Sequence, residues 1–469
     1  MAPFPSSTAA GSGRFLAALL LLAWLPGACQ AGGGAPDSRS GPPATGEETA
    51  RRRPRPPQDP TVHPGPPGTP GPSAEDPRWD HERLWSPDFS DWEPAVAADP
   101  AGPWVYQATT RFGSGQPRIA FRRSADEGRT WEADRELSPA FGAQADPLLE
   151  VARDSGQVYA VLMQVWEIQV LRSDDHGQSF GAPVPVLSSG SPPAWSDKPA
   201  LAVSPDGRDV YVAFNAADAF VSVSHDFAQS FAPPVRTSSN PRYWFHSGGA
   251  VGPLGEVYFA AADYAYDYSG PVNLWVVRSL DGGQTWSNLP VDVSQEYPPC
   301  PGAGCPGWYL GPSMSLAVDA QGVLLVLYHA GDVPGGPQRM YVRTSADGGL
   351  TWTPRLEVGA GPGVNHAFPG AAAGPDPGDF RIVWMDERNG PGRWNVWYRR
   401  STDGGLSWSE PVRLSDQPGG AAYKGPAGFA FPYGDYLEIG VGRGGRNHVV
   451  WGAGMGYSSF GGTWFTRGF

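Results

Sequence analysis

An octapeptide of the pattern Ser-x-Asp-x-Gly-x-Thr-Trp returns six times along this 469-residue chain. The copies, in which Ser can replace Thr and Phe can replace Trp, occupy residues 124–131, 173–180, 224–231, 279–286, 345–352 and 401–408. Their first serines are 49, 51, 55, 66 and 56 residues apart. Six matches at near-regular spacing mark an internal repeat, which constrains the fold to one built from similar units.

The residue types in the octapeptide favour a tight turn. Aspartate can accept hydrogen bonds from backbone a few residues ahead, glycine adopts positive φ without strain, and the aromatic ring anchors the hairpin. The third copy departs from the pattern because Ala228 replaces the glycine. We therefore interpret the six aspartates as structural residues; they are Asp126, Asp175, Asp226, Asp281, Asp347 and Asp403.

A larger unit with four predicted strands surrounds each octapeptide. Residues 197–215 show its first two strands, and residues 395–414 show a third strand, the octapeptide and an outer strand. Four strands in a repeat of this length indicate one blade of a β-propeller. Seven first strands are predicted, beginning near Trp92, Asp146, Asp197, Phe245, Leu310, His366 and Asp435.

The last unit stops without an outer strand. Residues 83–94 resemble the outer-strand exits of other units and are predicted to supply it, which closes the ring and removes free sheet edges. The prediction is an all-β, seven-bladed propeller with four-stranded antiparallel blades. A six-bladed ring with one malformed unit is the alternative.

Composition agrees with many short strands joined by turns. The 63 Gly and 52 Pro oppose long helices, and 12% aromatic residues supply a core that a disordered chain would lack. The net charge of −13 argues against a nucleic-acid partner. Phosphate-loop and metal-ligand spacings are absent from the sequence, so we expect no cofactor; no loop pattern supports Ca²⁺ on the aspartate-rich face.

The first eighty residues are predicted to lie outside the propeller. Arg14, an apolar run over 15–25 and small residues up to Cys29 indicate a signal peptide over 1–31. Lipoprotein processing at Cys29 and ordinary cleavage near Ala31 are both open. Residues 32–80 are predicted to be a disordered Pro/Gly/Arg-rich linker, and 82–469 the propeller.

Export has consequences for the cysteines and for the partners. Cys300 and Cys305 are close enough for a loop disulfide in an oxidising compartment. We expect a bacterial protein that is secreted, or a cell-surface or periplasmic lipoprotein that meets a membrane only through its lipid anchor. We also expect a monomer.

The octapeptide is identified as the Asp box, or bacterial neuraminidase repeat. From about residue 82 the chain therefore resembles sialidase-superfamily propellers, above all secreted bacterial exo-α-sialidase-like proteins. It shares their Trp-x-Asp-x-Arg-Asn loop at 384–389 and a late Gly-Asp-Tyr at 434–436. The resemblance implies the fold; it implies little about activity, because the repeat also occurs in receptors and assembly factors.

Propeller topology predicts which residues share the face opposite the Asp boxes. Outer-to-inner crossings and second-to-third loops meet there, and aromatic rings beside carboxylates, Arg and His suit sugar recognition. The alternative is that these Asp and His residues only tie one blade to the next. The predicted substrate-binding residues are Arg111, Arg242, Arg388, Trp92, Asp197, Trp244, His246, Tyr309, His366 and Asp435.

The resemblance also implies a specific chemistry. In sialidases three Arg clamp the sugar carboxylate, a Tyr activated by a Glu attacks the anomeric carbon, and an Asp is the acid/base. The available clamps here are Arg111, Arg242 and Arg388, and the corresponding reactive residues are Tyr436, Glu438 and Asp386. The family's early Arg-Ile-Pro stretch is missing. Two functions stay open: an exo-glycosidase of sialidase type acting on extracellular glycans, and a non-catalytic module that binds a glycan or a surface protein.

Overall fold

The computed structural model describes residues 78–469 apart from 87, 113–114, 140–141, 166, 188–195, 217, 300–309, 392, 417–435 and 455–460. Predictions for the signal peptide, the linker up to residue 77, Cys29, Cys300, Cys305, Tyr309 and Asp435 therefore lie outside the described residues, whereas Trp79 and Asp80 at the end of the predicted linker contact the last strand of the propeller. Within the described part of the chain, no helix is long and apolar enough to cross a membrane.

The described residues form seven four-stranded antiparallel sheets, as predicted. The chain starts with the outer strand β1 (Arg83–Leu84). The first three blades are β2 (Ser90–Ala98), β3 (Val105–Phe112), β4 (Arg118–Ser124), β5 (Arg135–Glu136); β6 (Gln144–Val151), β7 (Val158–Gln164), β8 (Glu167–Ser173), β9 (Val184–Pro185); and β10 (Asp197–Val203), β11 (Val210–Ala216), β12 (Asp218–Ser224), β13 (Val235–Arg236).

The remaining four blades repeat this plan. They are β14 (Tyr243–Val251), β15 (Val257–Tyr264), β16 (Val272–Ser279), β17 (Ser287–Ser294); β18 (Met314–Val318), β19 (Leu324–Gly331), β20 (Gln338–Ser345), β21 (Leu356–Glu357); β22 (His366–Ala373), β23 (Phe380–Asp386), β24 (Asn395–Ser401), β25 (Val412–Arg413); and β26 (Leu437–Val441), β27 (Asn447–Gly454), β28 (Gly461–Gly468) completed by β1. A 3-10 turn, Arg443–Gly445, joins β26 to β27.

The N-terminal segment closes the ring, which confirms the prediction from the unfinished last unit. Arg83 lies opposite Phe465 and Leu84 opposite Trp464, so β1 is the outer strand of the seventh blade. The Arg467 guanidinium adds an ion pair to Asp80, with 2.6 Å between Nε and Oδ2. The first and last segments of the propeller therefore pair in one sheet, and this pairing closes the ring.

The core lies between neighbouring blades. Each sheet turns alternate side chains toward the next blade, so the second and third strands are almost fully buried. Between the first two blades Tyr106, Phe121, Leu149 and Leu162 pack in one cluster. The innermost strands of all seven blades contact their neighbours in a closed circle around the axis. This circle is what places residues from distant parts of the sequence in one central cavity.

The six octapeptides form the same turn at one end of the ring. In each, the first Ser hydroxyl donates to the Asp and accepts from the backbone N–H four residues on, and the Asp accepts from the Thr or Ser of the turn. Ala228 of the third copy makes the same N–H bond at 2.9 Å. These hydrogen bonds lower the pKa of Asp281, Asp347 and Asp403 to about 2, with the Thr or Ser hydroxyl as the largest cause.

Candidate functional site

The innermost strands break register at one common place. In five blades the pairing with the second strand skips two residues, for example between Trp92 and Ala95 and between Ala145 and Leu148. Bulges of this kind redirect side chains and are common beside functional sites. Here they lie near the start of the innermost strand, at the end of the ring opposite the octapeptide turns.

Non-glycine residues in the left-handed region occupy four of these bulges. They are Glu93, Asp146, Lys198 and Phe368, with φ of 54°, 51°, 48° and 55°. Proline follows each one in the sequence. Such conformations cost free energy for residues with a Cβ and are maintained where surrounding contacts require them. The repeated residue–Pro step was a sequence signal for this site that the repeat analysis did not use.

A cavity of about 330 Å³ lies on the propeller axis. All seven innermost strands contribute to its wall, together with parts of β15 and β19. Its polar lining includes Glu150, Lys198, His246, Ser247, Ser313, Ser315, His329, Tyr436 and Glu438. We call this space the axial cavity. Its size falls in the range of small-molecule sites in proteins.

Four blades meet at Asp146, which contacts two residues of the cavity lining, Lys198 and Tyr436. The Tyr436 hydroxyl donates to Asp146 Oδ1 at 2.7 Å, and Lys198 Nζ lies 3.2 Å from the same oxygen. The backbone N–H of Asp146 in turn donates to Glu93 Oε2 at 2.8 Å. The ammonium of Lys198 is 5.5 Å from the centre of the Tyr436 ring. The predicted nucleophile Tyr436 is thus held in a buried cluster with an anion and a cation.

Glu438 and Glu150 bring two carboxyl groups into the axial cavity. Glu438 Oε2 accepts a hydrogen bond from the Val96 N–H at 2.9 Å. Burial raises the pKa of Glu438 to about 8, and the nearby Glu150 charge adds to the effect. Desolvation by the surrounding strands also raises the pKa of Glu150 to about 7, although the residue is exposed. Near neutral pH both groups therefore carry a proton part of the time.

Two neutral histidines belong to the same wall. His246 is 4% exposed, and neither ring nitrogen has a well-formed hydrogen bond among the described residues, although the Phe214 backbone is close enough to raise its pKa slightly. His329 Nε2 accepts from the Ser313 N–H at 3.0 Å, while its Nδ1 is unpartnered in the described part of the chain. Burial lowers the pKa of His246 to about 4 and that of His329 to about 3.

The three predicted arginine clamps lie in three different blades, and none of them lines the axial cavity as described. Arg111 forms two bonds of 2.7 and 2.8 Å to Asp91, and Arg242 contacts Asp263 at 2.6 Å. Arg388 binds Asp386 at 2.6 Å and its guanidinium carbon lies 3.6 Å above the Trp397 ring. Each arginine is held by a carboxylate of its own blade, and the three do not meet in the axial cavity.

Other predicted residues have structural partners. Trp92 and Trp244 are 4% and 0% exposed, so their rings pack in the core and offer no open face to a sugar in this structure. Asp386 accepts from the Trp384 indole at 2.8 Å as well as from Arg388, which leaves it buried and satisfied.

His366 and Asp197 also stabilise local structure. His366 donates from Nδ1 to the Gln338 carbonyl and accepts at Nε2 from the Ala360 N–H, both at 2.9 Å. Asp197 Oδ1 accepts from the Lys198 N–H at 2.8 Å, across the bulge of the third blade. Of the predicted site residues, Tyr436, Glu438 and His246 are therefore the ones that line the axial cavity.

Sequence reasoning missed Glu150. It is the only acidic residue in the second half of β6, where it is flanked by Leu149 and Val151. Residues two apart in a strand face the same side, so Glu150 and Leu148 both face the axial cavity. A lone carboxylate in an innermost strand was the available signal. Among the described residues, no group of three or more His, Cys, Asp or Glu side chains is arranged to hold a metal ion.

Comparison with known proteins gives a likeness of fold. No protein-family model matches the chain, and no curated protein matches it. A protein of unknown function from Dyadobacter fermentans has a TM-score of 0.50 at 14% identity, with 83% of this chain and 99% of that one covered. A polysaccharide lyase of family PL25, an ulvan lyase, has a TM-score of 0.51 at 11% identity, with 82% and 95% covered.

Sialidases are also similar to the chain at lower scores. The Hadza microbial sialidase Hz136 has a TM-score of 0.44 at 15% identity over 81% of this chain, which spans 65% of that protein's length. The leech intramolecular trans-sialidase gives 0.47 at 12% identity, with 82% and 70% covered. At these identities the property that the chain shares with the Dyadobacter fermentans protein and the ulvan lyase is the architecture of the fold.

Proposed function

We propose that this chain is an exported propeller that recognises a saccharide in its axial cavity. The observation that carries the proposal is the lining of the cavity: carboxyl, ammonium, phenol, imidazole and hydroxyl groups from several blades line one space on the axis. Sugars present hydroxyls in several directions, and such a ring of mixed donors and acceptors can satisfy them. Export is supported by the signal-like residues 1–31.

A binding experiment with purified protein tests the proposal. The mature chain is titrated with a panel of neutral, amino and acidic oligosaccharides by calorimetry, beside the variants Tyr436→Phe and Tyr159→Phe. Tyr436→Phe removes the hydroxyl that joins Asp146 in the cavity wall, whereas Tyr159 binds the Gly207 carbonyl away from the axis. We expect binding of at least one saccharide class that Tyr436→Phe weakens about tenfold, the effect of one lost hydrogen bond, and that Tyr159→Phe leaves unchanged. Absence of binding across the panel would overturn the proposal.

A glycosidase is the second candidate, favoured by one observation. Glu438 keeps a proton near neutral pH because burial raises its pKa to about 8, and a protonated carboxyl beside a sugar site can act as general acid. Tyr436 lies two residues earlier in the chain. Hydrolysis of fluorogenic glycosides, the sialoside included, should then fall at least a hundredfold in Glu438→Gln. If wild-type protein binds saccharides and hydrolyses none of them, the non-catalytic binding module is the function.

A further inference from the structure

The charges in the axial cavity are unevenly compensated. Lys198 is the one Lys or Arg among the described residues that line it, and its ammonium is 3.2 Å from Asp146. Glu150 has no hydrogen bond or ion pair within the described residues, and Glu438 has only the Val96 N–H. The cavity therefore contains two carboxyl groups that lack a cation.

An independent observation also indicates a missing partner in the same wall. Buried polar groups in proteins are nearly always hydrogen-bonded. The His246 ring forms part of the cavity wall, is almost fully buried, and has two nitrogens without a partner among the described residues. A neutral imidazole offers one donor and one acceptor, which matches the hydroxyl and amine groups of a sugar.

An acidic sugar fits this cavity poorly. Its carboxylate would meet Glu150 and Glu438 and would find Lys198 already paired with Asp146. The arginines that could bind it are held by Asp91, Asp263 and Asp386 in separate blades. A cationic group on the ligand would instead supply the positively charged partner that both glutamates lack.

We infer that the axial cavity selects a saccharide that carries a basic nitrogen, an amino sugar with a free amine, which Glu150 and Glu438 bind as its ammonium form. The inference rests on the proposed saccharide site and names its ligand class. Binding of the ammonium favours the ionised carboxylates, so the glutamates release protons to the solvent when the ligand binds at a pH low enough for the free amine to be fully protonated. The other titratable groups on the wall are Lys198, Tyr436, His246 and His329, and Asp146 contacts Lys198 and Tyr436 from behind the wall.

Three ligands of matched size test the inference on the wild-type chain: chitosan tetraose, its fully N-acetylated counterpart, and an oligogalacturonate. Calorimetry should give at least tenfold tighter binding of the free amine than of the acetylated form, and no binding of the acidic oligosaccharide. Titration in two buffers of different ionisation enthalpy should show net proton release with the amine alone.

Variants locate the preference. Glu150→Gln combined with Glu438→Gln should reduce the amine preference to less than threefold, while Glu132→Gln, an exposed partner of Arg123 outside the cavity, should preserve it. Equal or tighter binding of the acetylated or acidic ligand, sensitive to Tyr436→Phe, would overturn the amine inference and leave the proposed saccharide site standing. Failure of every ligand to bind would overturn both. The comparison of ligands on the wild-type chain does not depend on how well any variant folds.

Discussion

The octapeptide turns and the axial cavity treat polar groups in opposite ways. At the octapeptide turns, both oxygens of each Asp accept hydrogen bonds, as Asp403 does from Ser401, Ser407 and the Ser407 N–H. In the axial cavity, His246 and Glu150 lack such partners within the described chain. The turns occur in six copies, while each cavity residue occurs in one blade. The regular features of this sequence therefore encode the blades, and the residues that depart from the repeat mark the functional site.

The turn end should lose the most stability when its geometry is broken. Gly405 has φ of 85° and a Cβ there would lie 2.8 Å from Thr344, whereas Gly404 has φ of 77° and open space around it. We expect Gly404→Ala to lower the free energy of unfolding by about 1 kcal/mol through backbone strain. Gly405→Ala should cost about 3 kcal/mol, because overpacking is added to the strain.

Denaturant unfolding of the two glycine variants measures this difference, with saccharide binding as the second readout. Both variants should bind like the wild-type chain once folded, because neither Gly404 nor Gly405 lines the axial cavity. Equal costs for the two substitutions would show that steric contact at Gly405 is unimportant.

A substitution in the axial cavity should weaken saccharide binding without lowering the stability of the fold. His246→Phe replaces a buried imidazole that has no partner by an apolar ring of similar shape, beside Phe259. We expect the free energy of unfolding to stay constant or to rise by up to about 1 kcal/mol, since an unpaired polar group is removed. Saccharide affinity should fall about tenfold. His225→Phe, which removes an exposed ring bound to Asp209, is the control and should not affect binding. If His246→Phe were destabilised and still bound saccharide, His246 would have a structural role and not a role in binding.

Stability should decline as the pH rises through neutrality because of the cavity carboxyls. Glu438 and Glu150 have pKa values of about 8 and about 7 in the folded chain, above their ordinary values. The folded state therefore binds more protons than the unfolded state, so their contribution is full below about pH 4.5 and is lost by about pH 8. Glu438→Gln should flatten this decline in thermal melts between pH 5 and pH 8. An unchanged slope in that variant would assign the effect to other groups.

The turn aspartates should give the opposite and smaller dependence on the acid side. Their lowered pKa values, about 2 for Asp281, Asp347 and Asp403, stabilise the folded chain above about pH 4. This contribution disappears as the pH falls toward 2. Asp403→Asn should weaken the acid dependence between pH 4 and pH 2 and leave the slope above pH 5 intact. A changed slope above pH 5 would contradict the assignment of the two pH ranges to the turn aspartates and to the cavity glutamates.

The sequence predicted the fold in detail because the repeat is local. Each turn needs residues within eight positions, and the missing outer strand was recognisable from the other units, so seven blades and the closure by β1 followed. The site was predicted only in part. Arg111 looked available, but it lies directly opposite Asp91 on the neighbouring strand, and strand register cannot be read from spacing alone.

Burial explains the other differences between the predicted and the observed site. Trp92 and Trp244 looked like sugar platforms, yet both rings are buried in the core between the blades. Directly after Trp92 lies a bulge that sequence spacing does not reveal. Glu150 was overlooked because a single acid in an apolar strand resembles a surface position. Its position in the cavity lining is recognisable only in the folded ring, where the seven innermost strands come together.

A crystal structure of the mature chain soaked with chitosan tetraose tests the central claim most directly. The account predicts one sugar unit in the axial cavity, with its amine nitrogen within about 3.2 Å of a Glu150 or Glu438 oxygen and a hydroxyl or amine on His246. A sugar bound at the octapeptide end, or an axial cavity that stays empty at saturating ligand, would contradict it.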